Sequence, residues 1–327
     1  MNNFLTRIFN PAFFHGRGSR EKFFEGWFYK ITDKTKNISL AIIPGIYLSS
    51  DHKKSHCFIQ IVDGINNKVF YQKFPVETFT ANDNYFKFKI MRNVFSLDRI
   101  AVKEFQSGED TIKMDFELNG VKKWKSRITA PNIMGWYSYV PLMECKHALL
   151  AFNGSIKGLL SINESVIYLE DAKLYVEKDW GSSFPVAYIW AQSNNFVNEN
   201  ASFMISIAKI PWLKKSFTGL LAVLYDGNKT YNLSTYKGGS VTALEVEPNS
   251  VNITVKTSVY TLTIEIEREE GVVLHGPIDG EMIKGISESL NSKLKIKLES
   301  KSGTIFEDTG IFSGLDINGD INEILPK

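Results

Sequence analysis

Glu144 stands in MGWYSYVPLMECKH (residues 134–147), a carboxylate among aromatic and aliphatic neighbours. Burial among such side chains disfavours the charged form and raises the carboxyl pKa. A proton is then available for general-acid chemistry at neutral pH. An ion pair with Lys146 is the plainer account of the same group. After Pro141 the chain alternates, so Met143, Cys145, His147 and Leu149 share one face, with Glu144 and Lys146 on the other. Cys145 and His147 resemble a metal or nucleophile pair, yet no third residue follows at ligand spacing. DHKKSHC (51–57), with His52, His56 and Cys57, reads as a polar turn leading into a strand. No metal site is expected.

Two further stretches concentrate aromatic and polar groups. KFFEGWFYKI (22–31), read as a strand, puts Trp27, Tyr29 and Ile31 on one face, as a core plug or as an aromatic wall. KDWGSSFPVAYIWAQSNNF (178–196) turns at Gly181-Ser-Ser and Pro185, then places Tyr188, Trp190, Gln192 and Asn194 on one face of a strand. Each amide needs several hydrogen-bond partners, which a dry core does not offer. A largely apolar cavity with a few orienting polar groups does offer them. The chain has no phosphate-binding glycine loop, dinucleotide fingerprint, nucleophile elbow, HExxH or four-cysteine set. Any catalysis must rest on carboxylates and aromatic side chains, without a cofactor.

The elements that must position these groups are strands. FKFKI (86–90), TIKMDFEL (111–118), VNITVKT (251–257), YTLTIEIE (260–267) and KLKIKLE (293–299) alternate apolar with polar and end at turn residues. Helical periodicity is almost absent. So many strands must manage their edges, which predicts an all-β chain closed into barrels or sandwiches. SVIYLEDA (165–172) and SGTIFEDTG (302–310) each follow an alternating strand and reach Glu-Asp in step, a faint internal repeat. It predicts two tandem antiparallel β-barrels, residues 1–172 and 173–327. The regular strands of 241–300 read as scaffold.

Composition narrows the function classes. The 327 residues are 43% hydrophobic and 23% charged, a globular balance, and the net charge of +2 shows no nucleic-acid footprint. Two cysteines in such a length fit a reducing compartment. The first twenty residues lack a signal-peptide core and no run is long enough for an integral membrane segment, so a cytoplasmic protein is expected. Oligomeric state is not encoded in any motif.

FFEGWFYKI, the MGWYSYVPLMEC block and above all YVEKDWGSSFPVAYIWAQSNNF resemble the tocopherol cyclase family, and the resemblance runs over nearly the whole chain in order. More remotely the chain is similar to carotenoid 1,2-hydratases and lipocalin-like pericyclases. The resemblance implies two lipocalin-like barrels and cofactor-free closure of a chromanol ring. In that reaction an acid protonates the alkene of a prenylated hydroquinone and the phenol oxygen captures the tertiary cation. On these positions it makes Glu144, Glu177 or Asp179 the acid. Trp27, Trp180 and Trp190 become cation-stabilising faces, and Gln192 and Asn194 hold the quinol oxygens. Tyr29, Trp136, Tyr137, His147 and Tyr188 complete the expected ligand contacts. Asp179 stands where the plant motif has Asn, which puts Glu144 and Glu177 ahead of it. The expected partner is thus a small apolar molecule, converted by cyclisation or hydration. A non-catalytic carrier needs the same aromatic cavity and no acid. A structural role for the tryptophans and for the Glu177-Lys178-Asp179 charges needs neither.

Overall fold

The computed structural model describes residues 4–19, 21–141 and 143–326; Arg20 and, within the second motif, Leu142 lie outside the described residues. Apart from a short helix, Phe4–Phe9, and single 3-10 turns, the regular structure is β. The alternating runs form strands as their period requires: Lys87–Ile90, Asp110–Lys123, Ser250–Lys256, Tyr260–Glu267 and Glu281–Ser300.

The chain divides into two compact units. The first takes the chain up to Asp63, Lys68–Phe184 and a return segment, His275–Ile283; the second takes Gly64–Asn67, Pro185–Leu274 and everything from Lys284. In the first sheet the strands lie in the order Lys68–Phe74, His56–Asp63, Ile38–Leu48, Phe23–Asp33, Ser165–Gly181, Cys145–Ile162 and Asp110–Lys123. They continue through Arg99–Val102, Asn93–Ser96 and Lys87–Ile90 to Phe79–Ala81. The sheet curls until Tyr71 N reaches Ser107 Oγ (3.4 Å) and Gln106 N reaches Gln72 Oε1 (2.8 Å).

The second sheet repeats the plan. Its order is Thr230–Asn232, Lys215–Tyr225, Ser202–Trp212, Tyr188–Ser193, Gly303–Asn318, Glu281–Ser300, Tyr260–Glu267, Ser250–Lys256, Ser240–Val246. In both, the first four strands form an antiparallel meander, and a long final strand returns to pair with the first. The two halves of the sequence repeat fall in these final strands, Ser165–Gly181 and Gly303–Asn318, so the Glu-Asp step marks equivalent positions.

The cores differ in kind. The first is aromatic: Trp27 stacks on Phe88 at 4.1 Å, Phe88 on Phe95 at 5.2 Å, and Phe79 and Phe86 flank the indole. The second is mainly aliphatic, built from Ile189, Ile205, Ile207, Leu220, Ile253 and Ile264, with Phe196 and Phe203 among them. Among the described residues no helix is long and apolar enough to cross a membrane.

Candidate active site

The final strand of the first sheet, Ser165–Gly181, carries two different chemistries on its two faces. Its neighbour Phe23–Asp33 runs antiparallel with Glu25 opposite Trp180, Trp27 opposite Lys178 and Tyr29 opposite Val176. Paired residues share a face, so Val176, Lys178 and Trp180 point with Trp27 into the core.

Lys178 is therefore a fully buried cation. Its Nζ forms an ion pair with Glu25 and donates to the carbonyls of Pro11 (2.8 Å) and Phe13 (2.6 Å). It lies 4.9 Å from the centre of the Trp27 ring and 4.7 Å from that of Trp180, within reach of both π faces. Trp27 and Trp180 do face a cation, and it is the protein's own. Glu25 also accepts from the backbone N–H groups of His15 (2.8 Å) and Gly16 (3.1 Å), which fastens the N-terminal arm. Burial and the nearby Lys178 charge hold His15 down at about 4, so it is neutral and accepts from Nζ through Nδ1 at 2.8 Å. Its ring stacks on Trp180 at 4.4 Å. Burial pulls Lys178 to about 8 against the opposing charge of Glu25. Tyr29 is enclosed beside this cluster and donates to Ser96 O at 3.2 Å.

The opposite face presents Tyr175, Glu177 and Asp179, with His147 of Cys145–Ile162 directly across from Asp179 and Leu149 across from Glu177. His147 Nδ1 lies 2.9 Å from Asp179 Oδ1, and its Nε2 lies 3.7 Å from Glu177 Oε2. The Tyr175 hydroxyl donates to Glu177 Oε2 at 2.7 Å, and the backbone N–H of His147 meets Met134 Sδ at 3.2 Å. Burial alone would lower the imidazole pKa. The charges of Asp179 and Glu177, with the hydrogen bond to Asp179, override it and raise the pKa from 6.5 to about 9. The ring is a largely buried imidazolium at neutral pH, and its Nε2 has no hydrogen-bond partner among the described residues. One donor atom each from His147, Glu177 and Asp179 lies within 4.8 Å of the others, a spacing open to a metal ion, though a proton on His147 competes for the same site.

Glu144 stands apart from this set. It is half-buried, and burial followed by the charge of Asp279 raises its carboxyl above the usual range. Lys146 donates to Ser138 O at 3.3 Å. Cys145, between them, has its thiol pushed well up by burial and by Asp179. Trp136 and Tyr137 occupy the 3-10 turn Gly135–Tyr139 with rings stacked at 4.0 Å, and Trp136 is 46% exposed.

In the second unit Tyr188, Trp190, Gln192 and Asn194 form a row on the face opposite the aliphatic core, and all four are buried. The Tyr188 hydroxyl donates to Asp316 Oδ2 at 2.7 Å. Asp316 is the strand partner of Trp190 on one side and of Glu288 on the other, which adds two buried carboxylates to the row. The Trp190 indole lies on Gly314, where a built Cβ would come within 2.5 Å of the ring. Gln192 Nε2 reaches Asn194 Oδ1 at 3.4 Å.

The sequence names His147, Glu177 and Asp179 separately, and it is the strand pairing that brings them together. Tyr175, Glu25, Glu288 and Asp316 were not among its candidates, and Lys178 only as a structural charge. Tyr175 was accessible from the i, i+2 rule, since it shares a strand face with Glu177. The others depend on register between distant segments.

A family model described as tocopherol cyclase-like matches residues 96–319, more than half of the chain. The protein belongs to the tocopherol cyclase-like family. Among solved structures it is similar to CghA in its complex with Sch210972, at 9% identity over 91% of this chain and 89% of that one, TM-score 0.58. It is similar to a protein assigned as AttH from Nitrosomonas europaea, at 12% identity over 90% and 92%, TM-score 0.52. A kievitone hydratase from Nectria haematococca matches at 10% identity over 91% and 89%, TM-score 0.50. At these identities the likeness is one of fold, the lipocalin-like pair of curled antiparallel sheets.

Proposed function

We propose that this protein binds a small, largely apolar molecule carrying an alkene, such as a prenylated quinol or terpenoid, and promotes its cyclisation or hydration by proton transfer. The observation that carries the reading is the cluster of His147, Glu177 and Asp179, Glu177 buried and the other two partly so, with Tyr175 hydrogen-bonded into it. Family membership supports the reaction class, and the hydratase among the structural neighbours supports addition of water as its variant.

In this reading His147 gives the proton, and Glu177, whose Oε2 lies 3.7 Å from Nε2, takes one back. Protonation of a trisubstituted alkene at its less substituted carbon leaves a tertiary cation. Capture by a phenol oxygen of the same molecule closes a ring, and the phenol proton returns to the set, so the net change is an isomerisation. Capture by water adds a hydroxyl and a hydrogen. Asp179 fixes the imidazole through Nδ1 and keeps Nε2 toward Glu177. Glu144, with its raised carboxyl, is the second candidate acid. For the second unit the proposal is limited to ligand contact by Tyr188, Trp190, Gln192 and Asn194. Trp136 and Tyr137 are proposed as aromatic contacts on the first.

Incubation with a prenylated hydroquinone tests this. His147→Gln and Glu177→Gln are each expected to lower turnover by about 100-fold, and Glu144→Gln decides the role of the second acid. Unchanged turnover in both of the first two variants removes the set from the mechanism. Wild type that retains the quinol without converting it is a carrier.

A further inference from the structure

The strands Ser202–Trp212 and Lys215–Tyr225 outrun their neighbours. On one side Tyr188–Ser193 pairs only as far as Ala208, with one more bond from Lys209 N to Ala187 O at 2.9 Å. On the other, Thr230–Asn232 pairs Val223–Tyr225, and Leu233, Ser234 and Thr235 hold the edge only as far as Leu220. Beyond these points the ribbon is held by its own ladder: Ile210 with Phe217, Pro211 with Ser216, Trp212 with Lys215.

Leu213 at the tip is 96% exposed and held at φ 54°, a left-handed conformation that disfavours a Leu side chain. Other tight turns of the chain put Asn37, Asn67, Asn163 and Asp279 in that region, residue types that tolerate it. Lys22, Met91 and Phe312 are the other exceptions; Phe312 is buried, and the Arg92 beside Met91 is paired with Glu104, whereas Leu213 is almost fully exposed. Lys214 and Lys215 are exposed, no acidic residue occurs between Ile207 and Tyr225, and Lys209 at the base is paired with Glu323. Trp212 packs edge-on against Phe217 at 6.1 Å, and both are half-buried.

The turn carries a residue that its own backbone does not favour and that makes no use of the core. Its benefit must lie outside the fold. We infer that the hairpin tip Pro211–Phe217 docks on an anionic lipid surface. Leu213 enters the acyl boundary, Trp212 sits at headgroup level, and Lys214 and Lys215 meet the lipid charge. A membrane-dissolved apolar molecule would then be within reach of the protein. The inference does not depend on the acid set, because vesicle binding is read without turnover.

The test is co-sedimentation of the full chain with vesicles of phosphatidylcholine alone or mixed with phosphatidylglycerol, at low and high salt. Wild type partitions onto the anionic vesicles, and more weakly at high salt. Leu213→Asn, which suits the turn better and leaves the fold intact, reduces partitioning about tenfold. Lys214→Glu with Lys215→Glu abolishes the preference for anionic lipid. Wild type that pellets with neither vesicle, or Leu213→Asn that pellets as wild type does, overturns the inference.

Discussion

His147 and Asp179 face each other across adjacent strands, Nδ1 to Oδ1 at 2.9 Å, with the far side of the imidazole turned to Glu177. The contact fixes which nitrogen is committed and which is available. It also makes the histidine a stronger base than it would be in water, although it is largely buried.

That gain in basicity is measurable. The folded pKa of about 9 lies above the unfolded value of 6.5, so the native state binds the proton more tightly. The stabilisation is complete below pH 6.5 and is lost as pH rises through 9, on the order of 3 kcal/mol in all. Lys178, pulled down to about 8, titrates in the same window with the opposite sign, so the loss is read as the stability of wild type minus that of His147→Gln in urea unfolding between pH 6 and 10. A midpoint for the His147 ring protons near 6.5 would contradict it.

Asp179→Asn should separate orientation from charge. An amide keeps the shape but removes the main charge holding the proton, so the His147 midpoint falls. Turnover drops by about 100-fold if the set acts as proposed. A dropped midpoint with unchanged turnover would leave the ion pair as purely structural.

Lys178 and Glu25 should behave as a buried pair. Lys178→Met leaves the Glu25 carboxylate without its cation at complete burial and should cost about 3–5 kcal/mol in unfolding free energy. Lys178→Met with Glu25→Leu should recover part of that. The His15 and Gly16 amides, which donate to Glu25, should still exchange faster, because the N-terminal arm has lost its anchors. Hydrogen exchange distinguishes the two effects.

Gly314→Ala should displace Trp190. The added methyl would stand within 2.5 Å of the indole, and overpacking of this kind costs about 1–3 kcal/mol. Near-UV circular dichroism should change while the far-UV spectrum does not. An unmoved near-UV spectrum would show that the ring has room to yield.

Much of the fold could be read from period two alone. YTLTIEIE matches the strand Tyr260–Glu267 residue for residue, and the Glu-Asp repeat falls on equivalent final strands. The alternation in YVEKDW likewise separates Tyr175, Glu177 and Asp179 from Val176, Lys178 and Trp180. What it does not tell is which set turns inward. Burial of a lysine beside two tryptophans looks unfavourable until Glu25 and the carbonyls of Pro11 and Phe13 are known to meet it. Those partners lie more than 150 positions away; strand register brings in Glu25, and the N-terminal arm fastened to Glu25 brings in Pro11 and Phe13. Asp316 escaped for the same reason, since its relation to Tyr188 exists only through the pairing of Tyr188–Ser193 with Gly303–Asn318.

The return of each final strand to its first has an evolutionary corollary. Phe24 pairs with Gly181, and Tyr188 pairs with Asn318, so each sheet finishes where it began. A tandem copy of one ancestral sheet could be joined through a stretch as short as Ser182–Ala187 without threading or stretching the chain. The same adjacency makes each sheet a natural subject for circular permutation.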